Sequence, residues 1–340
     1  MVGGQAVIEG VMMRGPKLVA TAVRDPSGKI VVKTEPMHSI SDRYPILKKP
    51  MLRGVVSLGE ALVLGIKTLS YSAQMAGDEE EQLSNKELAG TIAFALAMAI
   101  VLFVIIPTGA AKLFHGITED PVFLNLMEGV LRLAIFLAYI YGISLMKDIR
   151  RVFQYHGAEH KTIHAYEAGG PLTVEHVQSY STLHPRCGTA FLLIVMVVSI
   201  FVFAFLGWPD LWLRILSRVI LLPVVAGISY EIIRFAGRTK NPIVHLAILP
   251  GLWLQKITTN QPEDDMVEVA IQSLEAVLPE EELARVGGIP RVTDEPEPAA
   301  ETDVAAPEEQ DANFAAASGD TAENIEEKQE EKSPAFEGRN

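Results

Sequence analysis

The sequence is poor in cysteine, with Cys187 as the single thiol in its 340 residues. One cysteine excludes an internal disulfide framework and any metal cluster held by several thiolates. The chain opens without a basic segment followed by a short apolar core, so we predict no cleavable signal peptide. The glycines near the start fit neither a dinucleotide-binding motif nor a P-loop, so the sequence does not indicate a nucleotide site.

Basic charge is also scarce, since 29 Lys and Arg stand against 42 Asp and Glu, a net charge of −13. Most of the excess lies in residues 291–340, which hold 15 acidic and 4 basic residues. The segment 286–340 is rich in Pro, Ala and Glu and poor in large apolar residues, so we predict a disordered acidic tail. The other basic residues follow the predicted membrane edges, so we expect no nucleic acid as partner.

Apolar residues are abundant, at 49% of the chain, and they occur in blocks. A bilayer core needs about 20 consecutive apolar residues in a helix. We therefore predict a mainly α membrane protein with about four transmembrane helices, at residues 88–111, 123–146, 187–209 and 211–233. Basic residues are common before the first span, between the second and third, and after the fourth, but rare between the first and second. This asymmetry predicts a multi-pass protein with both termini in the cytoplasm.

The segments outside the spans also have distinct patterns. We predict a cytoplasmic β-rich element at 1–50, because two β-rich runs flank the turn "PSG" and favour a hairpin. At 51–86 we predict an interfacial or re-entrant helix and a linker, since Glu60 interrupts a short apolar run; a helix buried in a soluble subdomain is the alternative. At 241–285 we predict an interfacial segment broken at Pro250, then a cytoplasmic amphipathic helix.

A cytoplasmic histidine-rich loop or helix is predicted at 147–186, around "FQYHGAEHKTIHAYEAGG". If the second span continues into this stretch as one helix, its three histidines share a face, because they are four residues apart. The five residues "HGAEH" fit H-x-x-E-H, a motif in which two histidines bind zinc and the glutamate handles a proton. This pattern predicts His156 and His160 as ligands of zinc or another divalent metal and Glu159 as the catalytic residue. His164 could join the same ion only if the helix bent at Gly157.

A zinc site needs a third protein ligand. His184 and Cys187 in "LHPRCGT" are candidates, because they lie where the third span begins on the same cytoplasmic face; Glu167 and Glu175 are alternatives. Histidines near a membrane surface also commonly hydrogen-bond to backbone, lipid phosphate or water. Cys187 would then be a small apolar residue at the start of a span.

Two spans carry charges. Glu128 and Arg132 are four residues apart in the second span, and Arg214 and Arg218 are four apart in the fourth. Charge in the bilayer costs a few kcal/mol or more unless it is paired or hydrated. One interpretation is an ion cluster that fixes helix packing. The other is a polar cavity or thinned bilayer that admits a lipid headgroup or an anionic substrate.

Several stretches together resemble the YqhQ-like bacterial membrane proteins: "GGQAVIEGVMMRGP", "YHGAEHKTIHAYE", "HPRCGT", "SYEIIRFAGR" and "WLQKITTNQPEDDMVEVAIQSLEAVL". The resemblance covers about residues 3–280 and implies a bacterial inner-membrane protein. That family is of unknown function and has been labelled a predicted metal-dependent enzyme. His156, Glu159 and His160 match its histidine motif. Glu9 and Arg14 belong to its N-terminal motif, and we expect them to approach the same cytoplasmic surface.

These patterns favour a metal-dependent hydrolase that acts on a membrane-bound or membrane-adjacent substrate. The alternative is a scaffold or regulator without enzymatic activity, which would bind protein partners or lipid and perturb the bilayer. A transporter is less favoured, because four spans are few and the sequence has no internal symmetry. A transporter would require a homo-oligomer, which the sequence leaves open.

Overall fold

The computed structural model of the protein describes residues 2–77, 84–111, 113, 118–236, 239 and 242–287. The predicted disordered tail lies outside the described residues, apart from its first two positions. The chain begins with a four-stranded antiparallel sheet in the order β1-β2-β3-β4. Its strands are β1 (Gly3–Val7), β2 (Gly10–Arg14), β3 (Leu18–Arg24) and β4 (Ile30–Pro36). The predicted hairpin corresponds to β3 and β4. β1 and β2 add two further strands to the sheet, which the glycine-rich sequence there did not indicate.

Helices make up most of the rest. They are α1 (Ile40–Arg43), α2 (Leu52–Ala76), α3 (Asn85–Ile100), α4 (Ile106–Ala111), α5 (Pro121–Ser144), α6 (Lys147–Ala168), α7 (Val174–Gln178), α8 (Gly188–Ala204), α9 (Leu211–Ala236), α10 (Pro242–Thr258), α11 (Asp264–Glu275) and α12 (Glu280–Arg285).

The sheet is covered by helices on both faces. Val11 and Met13 pack into a core shared with Tyr155 of α6 and Met266 of α11. Met12, whose side chain points the other way, packs into a second core with α2. Because both faces are buried, the central strands are apolar almost throughout. The sheet thereby becomes a rigid support for α6, which carries the histidines.

Three helical segments in the described part of the chain are long and apolar enough to cross a membrane: Lys86–Ala111, Pro121–Ser144 and Trp212–Ala236. They indicate a membrane protein. The predicted span at 187–209 is shorter than expected, because α8 ends at Ala204 after 17 residues. At 1.5 Å per residue it reaches about 26 Å, somewhat less than the ~30 Å hydrocarbon core of a typical bilayer.

The first of these segments contains a π-helical turn at Val101–Ile105, between α3 and α4. Pro107 explains it, because proline has no N–H to donate to the carbonyl of Phe103 one turn earlier. That carbonyl instead accepts a hydrogen bond from Arg132 Nε of α5 at 3.0 Å. The irregular turn therefore ties the first apolar segment to the second.

Two expectations about helix continuity were wrong. The second span does not run on into the histidine stretch: Met146 has an extended backbone, with φ −76° and ψ 134°, and α6 begins after it. The break lets α6 leave the bundle and pack on the sheet and α11. Conversely, α10 is not broken at Pro250. Gly251 lies so close to Ala190 of α8 that this packing holds the helix together.

The segment predicted as an interfacial or re-entrant helix is the single 25-residue helix α2. Leu64, Tyr71 and Met75 pack on the sheet. Leu62 and Val63 remain exposed. Apolar residues on both sides suit a helix between the sheet and a membrane surface.

Candidate metal centre

Backbone carbonyls orient the two histidines of the H-x-x-E-H motif. His156 Nδ1 lies 2.8 Å from the Thr258 carbonyl oxygen, and His160 Nδ1 lies 2.5 Å from the Thr182 carbonyl oxygen. A carbonyl oxygen can only accept, so both Nδ1 atoms carry the proton and both Nε2 atoms keep a free lone pair. In metal sites, an acceptor that holds one ring N–H of a histidine in this way orients the ring and leaves the other nitrogen for the ion.

Cys187 brings a third potential ligand to these nitrogens. It is the N-terminal cap of α8, where its Sγ accepts a hydrogen bond from the Thr189 N–H at 3.4 Å. Its Sγ lies 3.3 Å from His156 Nε2. Potential ligand atoms of His156, His160 and Cys187 all lie within 4.8 Å of one another.

The spacing between Cys187 Sγ and His156 Nε2 suits the geometry that zinc requires. A tetrahedral zinc ion with bonds of ~2.0 Å to nitrogen and ~2.3 Å to sulfur separates its ligand atoms by roughly 3.3–3.6 Å. The distance from Cys187 Sγ to His156 Nε2 falls in this range. Two imidazoles and one thiol also form a donor set that zinc accepts. The three residues therefore offer a suitable donor set, with one pair at the spacing that zinc requires and all the donor atoms within 4.8 Å of one another.

Glu159 lies on the buried side of α6, beside this group. The Gly4 N–H of β1 hydrogen-bonds to its carboxylate. A Cβ at Gly4 would come within 2.8 Å of Glu159 Cγ, so only glycine permits this approach. Burial raises the pKa of Glu159 to about 7, against the opposing effect of the nearby His156. Its Oε2 is buried and has no hydrogen-bond partner among the described residues.

The buried imidazoles are neutral at neutral pH. Burial, together with the neighbouring His156, lowers the pKa of His160 to about 2. Burial likewise lowers the pKa of His184 to about 4, with a contribution from His164. A neutral imidazole is the form that binds a metal.

His184 and His164 lie beside the group but do not join it. The Arg186 N–H donates to His184 Nδ1 at 3.3 Å, and His184 Nε2 faces Glu167 Oε2 at 3.6 Å. His164 Nε2 lies 2.9 Å from the Leu183 carbonyl oxygen. The suggested bend at Gly157 is absent, because α6 is continuous there. His164 therefore stays a neighbour of the group.

Glu9 and Arg14 both belong to the N-terminal motif, but they contact different elements. Glu9 forms a bidentate ion pair with Arg151 of α6 and accepts a hydrogen bond from Tyr155 Oη at 3.2 Å. These contacts fix α6 one turn before His156. Arg14 instead lies 3.5 Å from Glu60 of α2 and lines a polar cavity of about 500 Å³ with residues of α2 and α9. The structure does not bring Arg14 to the histidines.

The four charged residues of the spans converge, and both interpretations of them require this. Glu128 is fully buried and forms ion pairs with Arg132 at 2.7 Å and with Arg218. Arg214 Nη1 lies 3.9 Å from Glu128 Oε2. Thr108 and Asn125 complete the hydrogen bonding of Arg218.

The sequence did not indicate two residues that shape the histidine site. Gln255 of α10 is fully buried. It accepts from the His184 N–H at 2.8 Å and donates to the His184 carbonyl oxygen at 2.9 Å. A lone glutamine inside the apolar run "LWLQ" is the signal that could have identified it. Gly4 gave no signal, because its role depends on contact with Glu159, which lies more than 150 residues away in the chain.

Comparisons with known proteins agree with the resemblance seen in the motifs. Residues 49–280 match the family model described as "Protein of unknown function (DUF1385)". The chain is similar to "Uncharacterized protein YqhQ" of Bacillus subtilis (strain 168), with 38% identity over 297 residues, which is 83% of this chain and 93% of that protein. No solved structure matches. The matched region contains the histidines, the cysteine and the four arginine and glutamate positions of the spans, and the chain belongs to the DUF1385 family of YqhQ-like proteins.

Proposed function

We propose that the protein is a metal-dependent hydrolase at the cytoplasmic surface of a bacterial inner membrane. His156, His160 and Cys187 would hold zinc or a similar divalent ion, and Glu159 would transfer protons. One observation carries the proposal: three donor atoms of suitable chemistry lie within 4.8 Å of one another. Their two imidazoles already have the tautomer that leaves Nε2 free.

The surroundings of Glu159 support a catalytic role for this residue rather than a structural one. A buried carboxyl group normally satisfies both oxygens, yet Oε2 has no partner among the described residues. Its pKa of about 7 allows it to accept and donate protons near neutral pH. A bound divalent ion would supply a Lewis acid that makes water acidic.

Glu159 would then take one proton from the attacking water and give it to the leaving group. One O–H bond of water and the scissile bond break. The acyl or phosphoryl fragment gains the oxygen, and the leaving group gains the hydrogen. The Gly4 N–H, which hydrogen-bonds to the Glu159 carboxylate, would hold the carboxylate in position through this exchange.

The surrounding elements support a location at the membrane surface. Cys187 begins the apolar helix α8, and the Thr258 carbonyl ends α10. The site therefore lies where the apolar helices meet the sheet and α6. A substrate embedded in or attached to the membrane could reach it without leaving the bilayer edge.

The direct test is the metal content of the detergent-purified protein. We expect about one equivalent per chain for the proposed single site, and its loss in His156→Ala, His160→Ala and Cys187→Ser. His176→Ala, which removes an imidazole outside the group, is the matched control and should keep the metal. Glu159→Gln should also keep it but lose hydrolysis of lipid-ester, phosphoester or peptide reporters. Equal metal content in the histidine variants and the control would refute the proposal.

A second candidate is a scaffold without enzymatic activity, which one observation favours. Lys161 donates to the carbonyls of Gln178 and Tyr180 at 2.7 Å, and His160 and His164 bond to the carbonyls of the residues that follow. The cluster thus fastens the loop between α7 and α8. If the cluster only fastens this loop, Glu159→Gln should leave cellular function intact, whereas truncation of the Lys161 side chain should abolish cellular function.

A further inference from the structure

A buried arginine cluster lies at the end of the helical bundle that is remote from the histidines. It consists of Arg132 of α5 with Arg214 and Arg218 of α9, around the carboxylate of Glu128. Arg214 lies in the first turn of α9, and Glu128 lies in the first half of α5. The histidine group, in contrast, follows the end of α5. The cluster is therefore independent of the proposed hydrolytic site.

The cluster has more positive charge than its contacts neutralise. Three guanidinium groups share Glu128, and no other carboxylate of the described residues lies within 4 Å of them. Arg214 and Arg218 are at most 9% exposed, and Arg132 is mostly buried. Unbalanced charge at such depth is costly, which makes an anionic partner favourable.

Arg132 and Arg218 each direct two of their guanidinium nitrogens at acceptors inside the bundle. Arg132 donates to the Phe103 carbonyl and to Glu128. Arg218 donates to Glu128, Asn125 and Thr108. These contacts orient Arg132 and Arg218 toward acceptors within the bundle, and both residues add positive charge around Glu128.

Arg214 differs, because its guanidinium is incompletely bonded. Its Nη2 donates to the Pro209 carbonyl oxygen at 3.3 Å, but Nε and Nη1 are buried without a hydrogen-bond acceptor among the described residues. Nη1 is 3.9 Å from Glu128, too far for a hydrogen bond. The Trp208 ring lies 3.7 Å from the guanidinium carbon and fixes its plane.

We propose that the arginine cluster binds a phosphate-type anion through Arg214. The unpaired Nε and Nη1 of Arg214 lie on different edges of the guanidinium, and each can give one charge-assisted hydrogen bond to a phosphate oxygen. Arg132 and Arg218 supply the positive field that attracts the anion. The phosphate could be the phosphodiester of an anionic lipid or a free ion. At the end of an apolar bundle, a lipid headgroup arrives from the surrounding bilayer.

The test is thermal unfolding of the full-length protein in a zwitterionic detergent. Phosphatidylglycerol, phosphatidylcholine and inorganic phosphate are added separately. We expect phosphatidylglycerol to raise the melting temperature by several degrees and phosphatidylcholine to have little effect. If inorganic phosphate gives the same Arg214-dependent rise and phosphatidylglycerol does not, the source is a free ion.

Variants separate this site from general charge effects. Arg214→Gln should lose the stabilisation, whereas Arg150→Gln, the same change at an exposed position near the start of α6, should retain it. Arg214→Lys keeps the charge and loses the planar set of guanidinium donors, so it should lose most of the effect; it also serves if Arg214→Gln does not fold. Phosphorus that co-purifies with the protein should fall in parallel. No stabilisation of the unmodified protein by any phosphate, or equal stabilisation of the Arg214 and Arg150 variants, would overturn the proposal.

Discussion

At the scale of single residues, the histidine site depends on backbone carbonyls as much as on side chains. The carbonyls of Thr258 and Thr182 set the tautomers of His156 and His160. Gly4 leaves room for Glu159 and donates its N–H to it. The residues that fix the chemistry therefore come from four different parts of the chain.

Gly4→Ala should destabilise the protein by about 1–3 kcal/mol, because the new methyl group would overlap Glu159 and the Met12 carbonyl. Thermal unfolding in detergent measures the loss. Gly3→Ala is the matched control: a Cβ at Gly3 has no neighbour within 4 Å, so the change should stay within about 0.5 kcal/mol. Equal stability of the two variants would contradict the contact between β1 and α6.

Residue patterns predict part of this site. The spacing of His156, Glu159 and His160 follows from helical periodicity, and the structure keeps them on one helix. The choice of Cys187 over His184 could not be predicted, because it depends on which ring nitrogens the backbone occupies. His184 Nδ1 accepts from the Arg186 N–H, and its Nε2 faces Glu167 at 3.6 Å.

At the scale of elements, the position of α6 determines the site. In its first half, Arg151 and Tyr155 bind Glu9, and the same stretch also contacts the segment after α10. There the Asn260 N–H donates to the Phe153 carbonyl oxygen at 2.9 Å. Gly157 has no side chain at this crossing, so the two segments can touch.

Gly157→Ala should displace the segment after α10 and, with it, the Thr258 carbonyl that orients His156. A Cβ there would collide with the Asn260 carbonyl oxygen. We expect a loss of roughly 1–3 kcal/mol of stability and weaker metal binding, measured by calorimetric titration with zinc. Gly59→Ala, at an open helical position, should be neutral or stabilising by up to about 1 kcal/mol. Unchanged zinc affinity in Gly157→Ala would contradict this account.

Element boundaries were harder to predict than element types. The stretch from Phe123 to Ala168 contains no helix breaker, so its sequence favours one long helix. Packing overrides that preference at Met146. The break there lets α6 bury apolar side chains against the sheet, which a straight continuation of α5 would not allow. The same reasoning explains α10, where contact with α8 outweighs Pro250.

At the scale of the whole molecule, a sheet covered by α2 on one face and by α6 and α11 on the other adjoins a bundle of apolar helices. Apolar blocks in the sequence predicted the bundle, since span length is set by the bilayer. Only β3 and β4 of the sheet were predicted. The glycine-rich strands β1 and β2 were not, because they are stabilised by helices distant in the chain. The distribution of basic residues predicts that the sheet is cytoplasmic.

This orientation can be tested with introduced cysteines, because the native Cys187 is buried. Both chosen positions are exposed: Glu119 before α5 and Arg150 in α6. In intact spheroplasts we expect a membrane-impermeant maleimide to label Glu119→Cys. Arg150→Cys should be labelled only after lysis. The reverse pattern would place the histidine site outside the cell membrane.

The most direct test of the central claim is X-ray absorption at the zinc edge, on protein loaded with one equivalent of zinc. The account predicts two nitrogen scatterers at ~2.0–2.1 Å and one sulfur at ~2.3 Å, with the sulfur lost in Cys187→Ser. A shell without sulfur in the unmodified protein, or failure to retain zinc at all, would contradict a centre built from His156, His160 and Cys187.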